Sequence, residues 1–281
     1  MAVAVAEDPE IIKLVKLAIE ENLADFVLIG NLEKIKKLMK NENLSGSMEI
    51  VDSLDHKSAA EYAVKMVRDG EVEAIMKGML HTSTFLKAVL DKEKGLNKGK
   101  VVSQISVYDK PFGEGLQLLT DCAMAIEPTL EEKKGIIENS VELAIKLGCS
   151  FPKVALLSAV EVVNPAIKDT VDAAILSKMC DRGQIRNCIV DGPFALDNAI
   201  SPEAAIQKKI SGEVAGNADV LVVPNLQVGN VLTKSLTLFS KKEVAAAVMG
   251  ASAPIIMTSR TDSKKNKLLS IALAVYISEQ V

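Results

Sequence analysis

The chain has 281 residues, 48% hydrophobic and 25% charged, with a net charge of -4. That balance supports one large or two ordinary globular domains with a sizeable core, and it argues against disorder. Aromatics make up 3%, tryptophan is absent and no basic patch is interleaved with aromatics, so nucleic-acid binding finds no support and the core must be built from Ala, Val, Ile, Leu and Met.

Met1 to Asp8 lacks the basic start and longer apolar stretch of a signal peptide. Residues 11–21 are amphipathic, residues 25–30 read as a strand ending in glycine, residues 32–39 as a helix and residues 48–51 as a short strand. Residues 58–69 carry N-cap chemistry at their start and apolar positions spaced by three and four. Residues 74–78 form another strand with a glycine exit. Further strands are expected at 101–107, 116–122, 154–157, 188–190, 220–223 and 254–257. Thr129 is placed to cap a helix running to Gly148, after which a fresh strand-helix series opens. This alternation predicts an α/β fold with parallel sheets covered by helices. A domain boundary falls near residues 125–130. Periodicity leaves open whether residues 254–281 finish the second domain or return to the first.

No apolar run approaches membrane-spanning length. The cysteines, Cys122, Cys149, Cys180 and Cys188, form no CxxC pair and read as reduced thiols of a cytoplasmic protein. None sits beside a histidine, so a cysteine nucleophile is disfavoured. His56 and His81 are too few and too separated for a zinc site, and no metal is expected.

Polar loops recur where strands end, which is where open α/β sheets place ligands. After the strand at 254–257 comes Ser259-Arg260-Thr261-Asp262, a hydroxyl, a permanent cation and a carboxylate suited to an anionic substrate. The competing reading makes Ser259 and Asp262 caps of the last helix. Lys77, His81 and Thr82 follow another strand and, with helix-start amides, suit an anion. His81 as a general base competes there with a hydrogen-bonded loop histidine, and the latter is favoured. Asn164, Asp197 and Asn198 lie in two more such loops. Asn225, Gly229 and Asn230 follow the strand at 220–223 and offer amides and close backbone approach, or else a turn that reverses the chain. There is no P-loop and no dinucleotide fingerprint.

At these loops the chain resembles the phosphate acetyltransferase and butyryltransferase family. The resemblance rests on Lys77-Gly-Met-Leu-His-Thr82, Leu119-Thr-Asp-Cys-Ala123, Asp191-Gly-Pro-Phe-Ala-Leu-Asp-Asn-Ala-Ile-Ser201, Ala218-Asp-Val-Leu-Val-Val-Pro-Asn-Leu-Gln-Val-Gly-Asn230 and Ala253-Pro-Ile-Ile-Met-Thr-Ser-Arg-Thr-Asp262. The Lys77 and Ser259 loops look closer to the butyryl branch. The resemblance implies reversible acyl transfer between an acyl-CoA, butyryl-CoA or similar, and inorganic phosphate. It implies two α/β domains with an interdomain cleft, similar to isocitrate and isopropylmalate dehydrogenases. On it the expected domains are 1–126 with 254–281, and 127–253 inserted between them.

Ser259, Arg260 and Asp262 are then the expected catalytic residues. Lys77, His81, Thr82, Asp121, Asn164, Asp197, Asn198, Asn225, Gly229 and Asn230 are the expected substrate contacts. Coenzyme A is a substrate or product, no cofactor is held permanently, and a homodimer or larger homo-oligomer is expected. Where the acetyl branch carries an aspartate seven residues after this serine, the chain has Asn266. The arginines of that branch after the Lys77 loop are also missing, and Lys87, Lys98 and Lys100 are among the cations there. The alternatives are a phosphate acetyltransferase, a dehydrogenase of the same fold, or a noncatalytic protein that binds coenzyme A. A dehydrogenase would need clustered metal-binding aspartates, which the chain lacks.

Overall fold

The computed structural model describes residues 1–44, 48–53, 55–97 and 99–279. Contacts divide the chain into two units, one formed by Met1–Lys100 with Ala245–Val281 and the other by Val101–Val244. No helix among the described residues is long and apolar enough to cross a membrane.

The first unit holds strands β1 (Ala2–Ala4), β2 (Val27–Gly30), β3 (Glu49–Asp52) and β4 (Ile75–Lys77), alternating with helices α1 (Pro9–Glu20), α2 (Leu32–Asn41), α3 (His56–Arg68) and α4 (Thr82–Val89). The second unit begins with β5 (Ser103–Asp109) and β6 (Leu116–Thr120). It continues through α5 (Leu130–Lys146), β7 (Lys153–Leu157), α6 (Lys168–Asp181), β8 (Ile189–Phe194), the short α7 (Leu196–Ile200) and α8 (Pro202–Gln207), β9 (Val220–Val222) and α9 (Leu226–Leu238). The chain then returns to the first unit as β10 (Ala245–Met249), β11 (Ile255–Ile256) and α10 (Lys264–Glu279).

In the first unit the strand order is β3-β2-β1-β4-β11-β10. All neighbours run parallel except β10 and β11, which are antiparallel. The second unit has the order β5-β6-β9-β7-β8, with β5 and β6 antiparallel. The expectation of parallel sheets thus needs correcting at two pairs, one in each unit. The short links inside them leave no room for a crossover helix.

Two strands escaped the sequence. β1 is three small residues, yet it lies fully buried between β2 and β4. β10 is mostly alanine, the best helix former, and burial in the sheet overrides that preference. In the first unit Val3, Leu28, Met76 and Ile256 from the sheet pack with Ile12 and Val15 of α1 and Ile271 and Ala274 of α10. In the second unit Leu119, Ala155, Leu157, Phe194 and Leu221 build the core.

Candidate functional site

The register of the first sheet brings two loops side by side. Ile75 pairs with Ile255 and Met76 with Ile256, both parallel, so the chain leaves β4 as Lys77-Gly78 where it leaves β11 as Met257-Thr258-Ser259-Arg260. On the other flank Ala4 pairs with Lys77. There the Gly78 N–H donates to the Ala4 carbonyl and the Met79 N–H to the Val5 carbonyl, at 2.8 and 2.7 Å. A Cβ on Gly78 would lie 2.1 Å from the Val5 oxygen, so only glycine permits this approach. Val5 itself adopts φ 61°, rare for a β-branched residue.

Lys77 folds back onto its own loop, donating to the Gly78 and Leu80 carbonyls at 3.2 Å each. Burial, and secondly the nearby positive charge of Arg260, hold its pKa below that of an ordinary lysine. Ser259 and Arg260 are exposed. The turn is drawn tight by Asp262, whose Oδ2 accepts the Ser259 N–H at 2.7 Å, while the Ser259 and Thr261 hydroxyls lie 3.0 Å apart.

The cap reading of Ser259 and Asp262 is overturned. α10 is capped by Ser263, whose Oγ accepts the Asn266 N–H at 3.1 Å and whose carbonyl accepts that of Lys267. The first turn of α10 carries Lys264, Lys265 and Lys267 and no acidic residue. That reverses the usual preference for acids at a helix N-terminus and adds to the dipole's positive end. The Lys264 to Lys267 run was visible in the sequence and its meaning was missed.

His81 is the exposed N-cap residue of α4 and makes no side-chain cap bond, and Thr82 is exposed beside it. Lys87 and Lys100 are exposed, and Lys98 lies outside the described residues. The helix at 58–69 starts earlier than expected and is capped by Asp55, whose Oδ1 accepts from Lys57 and Ser58.

In the second unit several of the candidate polar residues bond to the protein itself. Asp121 is buried, and its carboxylate accepts the backbone N–H groups of Gln104, Ala123, Met124 and Ala125. Burial nonetheless raises its pKa above the usual aspartate value. This carboxylate shapes the loop that follows β6. Asn225 caps α9, accepting the Val228 N–H at 3.1 Å. The turn reading of residues 227–230 is corrected, because all four are helical. A Cβ on Gly229 would meet the Asp121 carbonyl oxygen at 2.2 Å, so this glycine serves close packing of helix on loop. Asn230 is exposed on α9.

Asn198 is fully buried and donates to Glu161 at 3.3 Å. Asp197 accepts from Lys208, which also reaches Glu161, and that bond pulls the Asp197 pKa down. Asn164 accepts from the Ala166 N–H in an exposed loop. The Cys122 thiol is buried and pushed up to about 11 by desolvation, which suppresses thiolate at neutral pH. No group of His, Cys, Asp and Glu among the described residues is arranged to hold a metal.

Residues 55–275 match the family model described as "Phosphate acetyl/butaryl transferase". The chain is 50% identical over its whole length to a probable phosphate butyryltransferase of Bacillus subtilis, covering 93% of that protein. It is 47% identical to the phosphate butyryltransferase of Clostridium beijerinckii over 99% of this chain and 92% of that one. It is 40% identical to the phosphate acetyltransferase of Thermotoga maritima over 98% of this chain and 93% of that one. Among solved structures, a branched-chain phosphotransacylase from Enterococcus faecalis superposes with a TM-score of 0.86 at 36% identity, covering 99% of both chains. A 4-hydroxythreonine-4-phosphate dehydrogenase from Klebsiella pneumoniae, 12% identical over 99% of this chain and 98% of that one, shares the fold at a TM-score of 0.57. The chain belongs to the phosphate acetyl/butyryl transferase family.

Proposed function

We propose that the acyl group this transferase moves between coenzyme A and inorganic phosphate is butyryl or a similar short chain, and that phosphate binds at the Lys77 and Arg260 loops. The observation that carries the phosphate reading is the pair of cations at adjacent parallel strand ends. The charge of one lowers the pKa of the other. Such a pair repels itself until an anion lies between, and a doubly charged phosphate relieves the repulsion best. The lysine-rich first turn of α10 adds to the same positive field. The relatives named as butyryltransferases support the chain length, and the E. faecalis enzyme supports branched acyl groups as a second reading.

In the synthesis of acyl phosphate, a phosphate oxygen attacks the thioester carbonyl and a tetrahedral oxyanion forms. The C–S bond then breaks and coenzyme A leaves as a thiolate that takes up a proton. Arg260 neutralises phosphate, and the Ser259 hydroxyl donates to the oxyanion. Asp262 carries the proton to and from sulfur on the carboxylate oxygen that does not hold the Ser259 N–H. Transfer is direct, since a buried thiol such as Cys122 is no nucleophile at neutral pH. In this reading the two units are the enzyme's domains, coenzyme A comes and goes as substrate, and the protein is a cytoplasmic homodimer or larger homo-oligomer. Four unpaired cysteines support the compartment.

Release of coenzyme A thiol from butyryl-, isobutyryl- and acetyl-CoA, with and without phosphate, tests the proposal. Phosphate-dependent release with the largest kcat/KM for a four-carbon substrate is expected. A preference for acetyl-CoA would overturn the chain-length assignment, and no phosphate-dependent release from any of the three would leave the noncatalytic alternative.

A further inference from the structure

Lys77 is half-buried at the exit of β4, and its Nζ donates to two carbonyls of its own loop, those of Gly78 and Leu80. An ammonium carries three N–H donors and a neutral amine two. Loss of one proton therefore costs Lys77 neither hydrogen bond, and the lone pair it uncovers is directed away from both carbonyls. Burial and the charge of Arg260 act in the same sense, toward the neutral form. Other lysines are held differently. Lys13, Lys65 and Lys208 each pair with a carboxylate that keeps the ammonium charged, whereas the bonding partners of Lys77 are carbonyls.

We propose, resting on the phosphate reading above, that Lys77 is a self-acylation site: an acyl phosphate held at the Lys77 and Arg260 loops gives its acyl group to the Lys77 amine. The register that sets β4 beside β11 supplies the proximity. The acyl carbon is joined to the phosphoryl group through a single oxygen, so phosphate bound at these two loops carries the carbonyl to the amine. Holding the two together replaces a bimolecular encounter with an intramolecular one. The nitrogen lone pair attacks the carbonyl carbon and a C–N bond forms. The C–O bond to phosphate breaks, and phosphate leaves with the electron pair and takes up the amine proton. The product is an uncharged amide. One cation of the pair is then gone, and the modified enzyme binds phosphate poorly. Accumulated acyl phosphate, the enzyme's own product, thereby restrains further turnover.

Peptide mass spectrometry on the full chain tests this, after incubation with butyryl phosphate in the absence of coenzyme A. Lys77 should be butyrylated at least about tenfold faster than the exposed Lys36 and Lys37 of α2, which have no donor held beside them. Inorganic phosphate should slow the reaction at Lys77 and leave Lys36 and Lys37 unchanged, because it competes for the same loops. The rise in melting temperature that phosphate gives the unmodified enzyme should shrink in step with Lys77 occupancy. In Lys77→Arg, which keeps a cation and lacks the nucleophile, the same incubation should leave that rise as it was. Butyrylation of Lys77 no faster than of Lys36 and Lys37, or a rate that phosphate does not lower, overturns the proposal even where the unmodified enzyme releases coenzyme A thiol in a phosphate-dependent way. Absence of that release would remove the phosphate reading itself, and self-acylation with it.

Discussion

Arg260 is exposed and packs no core, so Arg260→Ala should melt like the wild type. Its kcat/KM for phosphate should fall by about 10²–10³, the usual cost of removing a charged donor from an oxyanion or phosphate site. Arg260→Lys should recover only part of that, because the planar fork is lost. Near-normal steady-state kinetics for phosphate in the alanine variant would remove Arg260 from the site. Lys77 gives a prediction of opposite sign for stability. Its native pKa is depressed, so the unfolded chain holds the proton more tightly. Lys77 therefore costs stability below its native pKa, and that cost fades as pH rises through it. Lys77→Met should accordingly melt at or above the wild-type temperature at neutral pH. The rise in melting temperature that inorganic phosphate gives the wild type should shrink in this variant. An equal phosphate shift in both, read by calorimetry, would show that Lys77 does not hold the anion. Asp262→Asn keeps an acceptor for the Ser259 N–H. If Asp262 moves the thiol proton, the variant should be slow at neutral pH in both directions and partly recover as pH approaches the thiol value of roughly 8.5. A flat loss across pH, or none, would confine Asp262 to shaping the turn.

Helices with explicit start chemistry were legible at the scale of the element. Thr129 and Glu132 form a reciprocal capping box at the head of α5, the one such helix whose cap the sequence placed correctly at the outset. Thr129→Ala should lower the unfolding free energy by about 1 kcal/mol in urea. Elements whose identity depends on tertiary burial were not legible: alanine-rich β10 looks helical, and β1 is too short for any period to show. α9 was misread at its start because Gly229-Asn230 carries turn chemistry, whereas the glycine is there to let the helix lie against the Asp121 carbonyl. Gly229→Ala would need helix or loop to shift, and about 1–3 kcal/mol of destabilisation is expected in the same urea measurement. A smaller effect would mean that the loop yields freely.

For the molecule as a whole, replacing all four cysteines by serine should leave turnover per folded molecule largely intact if transfer is direct. Cys122 and Cys188 are buried, and burial pushes the Cys188 thiol up to about 12, so stability is expected to fall. An acyl group trapped on any cysteine, seen by mass spectrometry of the intact protein, would replace direct transfer with a covalent intermediate. The sequence showed each half of the candidate site at its strand exit but not why the halves meet. Lys77 and Arg260 become neighbours through the pairing of Ile75 with Ile255, a register that local pattern cannot encode. The family resemblance marked Asp121 as a contact, and loop position marked Asn198, without the burial that engages the first with backbone N–H groups and the second with Glu161.

That same pairing sets a schedule for a newly made chain. Its two strands lie about 180 residues apart, and between them the ribosome must produce the whole second unit. At about 5–20 residues per second, the β4 edge waits on the order of ten seconds or more for β11 to arrive. During that interval the edge of β4 has backbone groups without their native partner, the kind of edge that recruits wrong strands. Lys77 meanwhile has no second cation beside it. The Lys77 and Arg260 pair exists only in a molecule whose synthesis has passed Arg260, so a prematurely terminated chain lacking the last strands carries half of the proposed phosphate site.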